Sequence, residues 1–291
     1  MNLICIPVYN EEKTIGKIVK DCLKYADKVI VCDDGSTDNT AEIARKNGAH
    51  IIRHEKNLGY GAAIISLFDK ARKEDADIMI TLDADGQHDP NQIPLLIDVL
   101  KQNNVDVVIG SRFLNKKSTS PGYRKAGIKI ITSASNYATD FKVSDSQSGF
   151  RAYSKNAIDA IHPTEQGMAV STEILLKASN KGLSVAEIPI DIFYEGNTSK
   201  HNPVPHGVSV LMSTIRFVSV KHPIVFYGFP GIVFIIAGII TGFQFLDAYL
   251  NQQTIFFGSL FASVLLFLIG SILVATAIIL FTMSTLMKSN Q

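Results

Sequence analysis

The 291-residue chain carries 28 basic and 27 acidic side chains, a formal net charge of +1, so no global charge draws it to nucleic acid. From Pro223 to Leu246 and from Ile255 to Leu286 there is no Asp, Glu, Lys or Arg. At about 1.5 Å rise per residue, each stretch can cross a hydrocarbon core of about 30 Å. The ordinary globular composition before them implies a soluble domain first and a membrane anchor last.

Short β-rich runs alternate with helical stretches from the start. Leu3 to Val8 reads as a strand and Glu12 to Tyr25 as a helix with Ile15, Ile18, Val19 and Cys22 on one face. Val29 to Cys32 is a second strand, followed by a helix from Thr37 to Asn47 stopped by Gly48. Ile51-Ile52, Ile78 to Leu82 and Val105 to Ile109 are further strands, separated by helices at Gly61 to Arg72 and Asn91 to Gln102. Alternation of this kind predicts an α/β fold, a mostly parallel sheet covered on both faces, with right-handed crossovers bringing the strand ends to one rim.

Beyond Leu114 the pattern loosens. Tyr123 to Phe141 predicts a helix holding Arg124, Lys125 and Lys129, and a second helix starts near Lys155. Ser171 to Lys181 is another helix, with Glu173 near its start. Val185 to Ile192 reads as a strand that Pro189 assigns to an edge or a bulge. Glu195 to Pro205 is a loop, and Val208 to Val220 an amphipathic segment expected to lie on headgroups. The expected division is 1–206 for the globular domain, 207–222 for the interfacial helix, and 223–291 for two spans at about 223–246 and 255–287.

Arg216, Lys221 and His222 precede the first span, Lys288 follows the second, and Asp247 to Thr254 holds no Lys or Arg. The positive-inside rule then places the large domain and the C-terminus in the cytoplasm. Met1 leads straight into strand-like sequence, so no cleavable signal peptide is expected. Cys5, Cys22 and Cys32 read as reduced, mostly buried thiols. Gly228, Gly231, Gly238 and Gly242 point to close helix packing, which would let the hairpin pair with another copy as a homo-oligomer.

The unusual residues fall at strand ends. They are Pro7-Val8-Tyr9-Asn10-Glu11-Glu12, Asp33-Asp34-Gly35-Ser36-Thr37-Asp38, Asp83-Ala84-Asp85-Gly86-Gln87-His88 and Gly110-Ser111-Arg112-Phe113. In open α/β sheets ligands bind outside the carboxyl ends of the strands. Asp83 and Asp85 suit a hard divalent cation that keeps coordination for phosphate oxygens, although a lone Asp-x-Asp is also a common solvated turn. Asp33, Asp34 and Glu11 offer acceptors to a base or ribose. No glycine-rich turn follows the first strand and no Gly-Lys-Ser/Thr occurs, which disfavours a hydride-transfer Rossmann enzyme and a P-loop NTPase.

With Ser148-Gly149-Phe150-Arg151, this ordered set resembles glycosyltransferase family 2, in the branch of dolichyl-phosphate mannose synthase and the polyprenyl-phosphate glycosyltransferases. The resemblance runs from about Asn2 to Pro205. It implies a GT-A fold, a nucleotide-diphosphate sugar donor (GDP- or UDP-hexose), Mg²⁺ or Mn²⁺, a polyprenyl phosphate acceptor, and inversion at the sugar carbon. By position, Pro7, Tyr9, Glu11, Asp33 and Asp34 would line the nucleotide site. Asp83, Asp85 and Gln87 would surround metal and diphosphate, with Asp85 catalytic.

Arg112 and Arg151 would face donor or acceptor phosphate. The alternatives are an ion pair closing a strand end for Arg112 and a surface charge for Arg151. Glu173 would pair with either arginine, and His88 reads as a loop histidine and not a metal ligand. One departure stands out: the branch carries an Arg shortly before Gly-x-Ser-Lys, and Tyr194-Glu195-Gly196-Asn197-Thr198-Ser199-Lys200 lacks it. Lys200, His201 or His206 would take over part of the acceptor contact.

A phosphate monoester has a second pKa near about 6, so it arrives largely as an anionic nucleophile and needs positioning more than deprotonation. The competing expectations are transfer to another lipid or glycan acceptor, and a membrane-tethered nucleotide-sugar-binding protein without turnover. A processive polysaccharide synthase would carry a Trp-containing motif, and the chain has no Trp.

Overall fold

The computed structural model describes residues 1–114, 122–192, 222–252 and 257–289, with positions 212, 215 and 219. It divides into two compact units, Met1–Thr214 and Ile215–Gln291.

In the first unit the strands are β1 (Asn2–Val8), β2 (Lys28–Asp33), β3 (His50–Arg53), β4 (Ile78–Thr81), β5 (Val107–Ser111), β6 (Arg151–Ser154) and β7 (Val185–Pro189). The helices are α1 (Ile15–Cys22), α2 (Thr40–Lys46), α3 (Tyr60–Lys73), α4 (Ile93–Gln102), α5 (Gly122–Ala138), α6 (Lys155–Ala160) and α7 (Val170–Asn180). The strands form one sheet in the order β3-β2-β1-β4-β6-β5-β7. β1, β2, β3 and β4 pair in parallel, as do β5 and β7. β6 is antiparallel to both β4 and β5.

That antiparallel insert is the main departure from the expected sheet. Arg151-Ala152-Tyr153-Ser154 is as short as β3 and β4 and lacks the apolar run of the central strands. Two neighbours supply its backbone partners, and that tertiary pairing makes it a strand. The central strands instead show the near-continuous apolar runs of a sheet buried on both faces. One face packs Leu3, Cys5, Ile30 and Met79 under α3 and α7, with Leu67, Phe68 and Leu175. The other packs Ile4, Ile6, Val31 and Ile80 under α1 and α4, with Ile15, Val19 and Leu96. All three cysteines are buried and free, and burial pushes Cys22 and Cys32 up to about 12.

Helices α1 and α2 start about three residues later than the apolar periodicity predicts. The polar residues before them bind the neighbouring loop instead, as described below. The segment before α4 opens as a 3₁₀ turn, Pro90–Gln92, whose Asp89 side chain accepts from Asn91 N–H. β7 is an edge strand, as Pro189 implies, and stops at that proline; Ile192 makes an isolated antiparallel bridge to His88.

The second unit is a hairpin. A π-helical turn (Ile224–Gly228) leads into α8 (Phe229–Gln252), followed by α9 (Phe257–Ser289). Ile224–Asn251 and Phe257–Met283 are long and apolar enough to cross a membrane, at mean hydropathy 2.3 and 2.9. The glycines expected to serve pairing between copies pack inside the hairpin. A Cβ on Gly231 would lie 2.9 Å from the Gly270 carbonyl oxygen, and one on Gly238 would lie 2.9 Å from Phe267 N. Their small size is therefore explained without a second copy. Lys200, His201, His206 and most of the expected interfacial helix lie outside the described residues.

Candidate active site

The loops after β1 and β2 are joined by reciprocal hydrogen bonds. Asn10 N donates to Ser36 Oγ (2.9 Å), Thr37 N donates to Asn10 Oδ1 (2.9 Å), and Glu11 N donates to Thr40 Oγ1 (2.9 Å). Asn10 has φ of 56°, a left-handed conformation its short polar side chain tolerates. Thr14 Oγ1 donates to Ala84 O (2.6 Å) and fastens the same loop to the one after β4. These bonds consume the polar residues that sequence periodicity assigns to the first helical turns. Pro7 is buried beneath this rim, and Tyr9 and Glu11 are half-buried on it.

The two acids after β2 are committed unequally. Asp34 Oδ1 accepts from Leu58 N (2.9 Å) and lies 2.7 Å from His54 Nδ1, while Oδ2 accepts from Gly59 N (2.8 Å). His54 Nε2 in turn lies 2.9 Å from Ser66 Oγ. Asp34, expected to contact the nucleotide, fastens the turn that opens α3, taking the Leu58 and Gly59 amides on its two oxygens. Asp33 is fully buried; its Oδ1 accepts from Ser36 N (2.9 Å), and its Oδ2 accepts no hydrogen bond.

The turn held by Asp34 delivers Tyr60, whose hydroxyl donates to Asp83 Oδ1 at 3.0 Å. A Cβ on Gly61 would lie 2.1 Å from the Glu165 carbonyl, so only glycine lets α3 start so close to the 165–167 segment. Glu173 holds that segment from the other side, accepting from Thr164 N and Glu165 N and pairing with Lys177 at 2.8 Å. Expected to pair with an arginine, Glu173 anchors the loop behind Tyr60 instead. Burial raises its carboxyl, but Lys177, Thr164 and the two amides outweigh that and hold it below its ordinary value.

Asp83 itself sits at the end of β4 with its side chain 32% exposed, enough to face a ligand. His88 Nε2 stands 3.6 Å from its Oδ2, and the His88 ring packs on Phe150 at 5.2 Å. Burial pushes the Asp83 carboxyl up; His88, Tyr60 and the nearby Arg112 overcome this and hold it below the usual value, hence ionised. Gly149 passes directly over the carboxylate, where a Cβ would lie 2.5 Å from Oδ2. Asp85 and Gln87 are half-buried in the same turn, with Gln87 N donating to Asp85 Oδ1 at 2.9 Å.

Arg112 follows β5 and makes a bidentate pair with buried Asp145, Nε to Oδ2 at 2.6 Å and Nη2 to Oδ1 at 2.7 Å. Glu187 on β7 accepts from the amides of Ser144 (2.7 Å) and Asp145 (3.1 Å), which sets Asp145 in place. Burial raises the Glu187 carboxyl, and those amides offset it only in part. Arg112 thus shows the strand-end ion pair and still bears on Asp83. Arg151 is placed differently from expectation. It is 1% exposed, and its guanidinium donates to the carbonyls of Ser148 (2.8 Å), Ser171 (3.0 Å) and Ser146 (2.7 Å). It supports the Ser148-Gly149 turn from below and does not reach the rim, because β6 pairs in the sheet and turns the side chain inward.

The Glycosyl transferase family 2 model matches residues 3–161 of this chain. The chain belongs to glycosyltransferase family 2. It is 34% identical over 213 residues to a UDP-N-acetylglucosamine–dolichyl-phosphate N-acetylglucosaminyltransferase of Methanococcus voltae, covering 66% of this chain and 85% of the relative. It is 30% identical over 215 residues to a dolichyl-phosphate hexose transferase of Haloferax volcanii, covering 73% and 92%. Glucosyl-3-phosphoglycerate synthase from Mycobacterium tuberculosis, crystallised with Mn²⁺, UDP and phosphoglyceric acid, superposes with a TM-score of 0.59 at 18% identity, over 76% of this chain and 78% of that one. That likeness is one of fold, GT-A.

For a family 2 glycosyltransferase, sequence reasoning missed Tyr60, His54, Asp145 and Glu187. The pair Gly59 and Gly61 around a tyrosine at a helix start was the available signal for the first. Nothing local marks the other three, whose roles depend on partners 20 to 43 positions away.

Proposed function

We propose that this glycosyltransferase moves a hexose, with inversion, from a nucleotide-diphosphate sugar onto a polyprenyl phosphate at the cytoplasmic membrane face. The observation that carries this is Asp83, a half-buried carboxylate at the end of β4 that accepts from the Tyr60 hydroxyl, lies 3.6 Å from His88 Nε2 and is held below its usual pKa. The named activities of the relatives from Methanococcus voltae and Haloferax volcanii support the acceptor class.

A hard divalent ion, Mg²⁺ or Mn²⁺, fits the donor set. Asp83 and Asp85 offer hard oxygens, and among the described residues no group of three or more His, Cys, Asp or Glu forms a closed metal site. The remaining ligands would come from diphosphate, water and the Gln87 side chain. Such an ion supplies Lewis-acid neutralisation of charge on the departing diphosphate.

The chain's own residues do the rest. Tyr60 and His88 fix the Asp83 carboxylate before substrate arrives, and preorganisation of this kind removes reorganisation from the reaction. Arg112 offers positive charge to the acceptor phosphate, which is its own nucleophile and needs no general base; Lys200, outside the described residues, is the second candidate for that contact. The two apolar helices hold the globular unit to the bilayer, where a polyprenyl phosphate presents its head. Membranes bearing the chain, incubated with labelled donor and polyprenyl phosphate, are expected to yield a chloroform-soluble product that EDTA suppresses. Asp85→Ala is expected to abolish it; full activity in that variant would refute the metal assignment.

A further inference from the structure

Glu187 lies on the edge strand β7, in register with Ile109 of β5, the strand that ends at Ser111 just before Arg112. Its carboxylate gathers the consecutive amides of Ser144 and Asp145, at 2.7 and 3.1 Å, and the Ser144 hydroxyl at 3.2 Å. All of these partners are donors, so the ionised carboxylate is the form that matches them. The same hydroxyl lies 2.6 Å from Ser111 Oγ, which accepts from Phe113 N at 3.2 Å. With Ser144 donating to Glu187, the Ser111 hydroxyl donates to Ser144, and the run of hydrogen bonds from Phe113 to Glu187 has one direction. Glu187 thus ties the turn after β5 to the turn that carries Asp145.

Asp145 is fully buried, and Arg112 donates to it from its backbone amide at 3.2 Å, from Nε at 2.6 Å and from Nη2 at 2.7 Å. A forked pair of this kind fixes the plane of the guanidinium, whose Cζ also stands 5.8 Å from the centre of the Phe113 ring. The direction of that plane follows the position of the Ser144-Asp145 backbone, and Glu187 holds that backbone. Resting on the transfer to polyprenyl phosphate proposed above, we infer that Glu187 is a positioning residue for that reaction. It aims the Arg112 guanidinium at the acceptor phosphate, acting through Asp145.

Glu187→Gln keeps the shape of the side chain and breaks its complementarity. The two amides meet different carboxylate oxygens, so in either orientation the Gln NH₂ opposes the Ser144 or the Asp145 N–H. The turn must move to relieve that contact, and Asp145 moves with it. A displacement of about 1 Å at a reacting group costs up to about 100-fold.

The test is steady-state transfer by the detergent-purified full chain, with undecaprenyl phosphate as acceptor and the UDP- or GDP-hexose that gives turnover as donor. Glu187→Gln is expected to raise the acceptor KM by about 10- to 100-fold and to leave the donor KM within about twofold. In an Arg112→Lys background a single-point ammonium has no plane to set, so Glu187→Gln is expected to add no more than about twofold. A merely structural role would give the same rise in both backgrounds. An unchanged acceptor KM, an equal rise in donor KM, or an equal rise on Arg112→Lys overturns the inference. Melting curves establish folding. If Glu187→Gln does not fold, Glu187→Asp, whose shorter stem cannot span both amides, decides on the same criteria. Any of these overturning results alongside wild-type turnover removes the positioning role and keeps the transferase, whereas no transfer from any donor to undecaprenyl phosphate removes both.

Discussion

Arg151→Met removes a buried guanidinium that donates to three backbone carbonyls, of Ser146, Ser148 and Ser171. Hydrogen bonds from a charged donor contribute roughly 1.5–3 kcal/mol each, so a simple sum gives about 5–9 kcal/mol. The sum overstates the loss, because Met carries no charge whose burial must be offset. Breaking buried charged networks costs about 3–5 kcal/mol in practice. For a unit of this size 1 kcal/mol lowers the melting temperature by roughly 2–4 °C, so Arg151→Met is expected to melt roughly 10 °C lower. Lys, a point charge that cannot fork to three carbonyls, is expected to recover only part of this. The assay is thermal denaturation of the detergent-solubilised full chain by circular dichroism, with transfer activity measured well below the melting point. An unchanged melting temperature with activity abolished would refute a supporting role and return Arg151 to the reacting phosphates.

Two further outcomes follow from the rim. Tyr60→Phe keeps the ring and deletes the hydroxyl on Asp83; Mn²⁺ affinity, read by electron paramagnetic resonance with UDP present, is expected to fall about 10- to 100-fold with little change in melting temperature. Unchanged affinity would mean that Asp83 needs no such support. Glu173 has its folded pKa held below the ordinary 4.5, so the stability it confers is fully present above that value and lost as pH falls through the folded pKa. The difference in melting temperature between the chain and Glu173→Gln is accordingly expected to shrink as pH is lowered from neutral to below about 4. A difference that stays constant over this range would show that the Glu173 charge does not anchor the 164–165 segment.

Periodicity and strand-end chemistry were enough to place most of this molecule. The apolar runs at Leu3–Val8, Val29–Cys32 and Ile78–Leu82 are buried on both faces, and such strands announce themselves locally because every side chain must be apolar. The two charge-free stretches are legible for the same reason, since a helix in hydrocarbon satisfies its own backbone and asks only for apolar side chains. The acidic turn after β4 stands out in the sequence because its polar residues lie within six consecutive positions, while the Tyr60 hydroxyl that reaches Asp83 comes from 23 positions away. β6 was not, since its four residues become a strand only when β4 and β5 supply partners.

The roles of individual polar side chains were decided by tertiary structure alone. Asp34 is fastened through both oxygens to the α3 turn, while its neighbour in sequence, Asp33, keeps an oxygen unmatched. Arg112 and Arg151 each end or begin a strand, yet one reaches the rim and the other supports it from beneath. A sequence specifies which hydrogen-bonding groups exist; which of them remain available to a ligand depends on what the folded backbone has already taken. That follows from the cost of leaving any buried backbone group unpaired, which folding settles first.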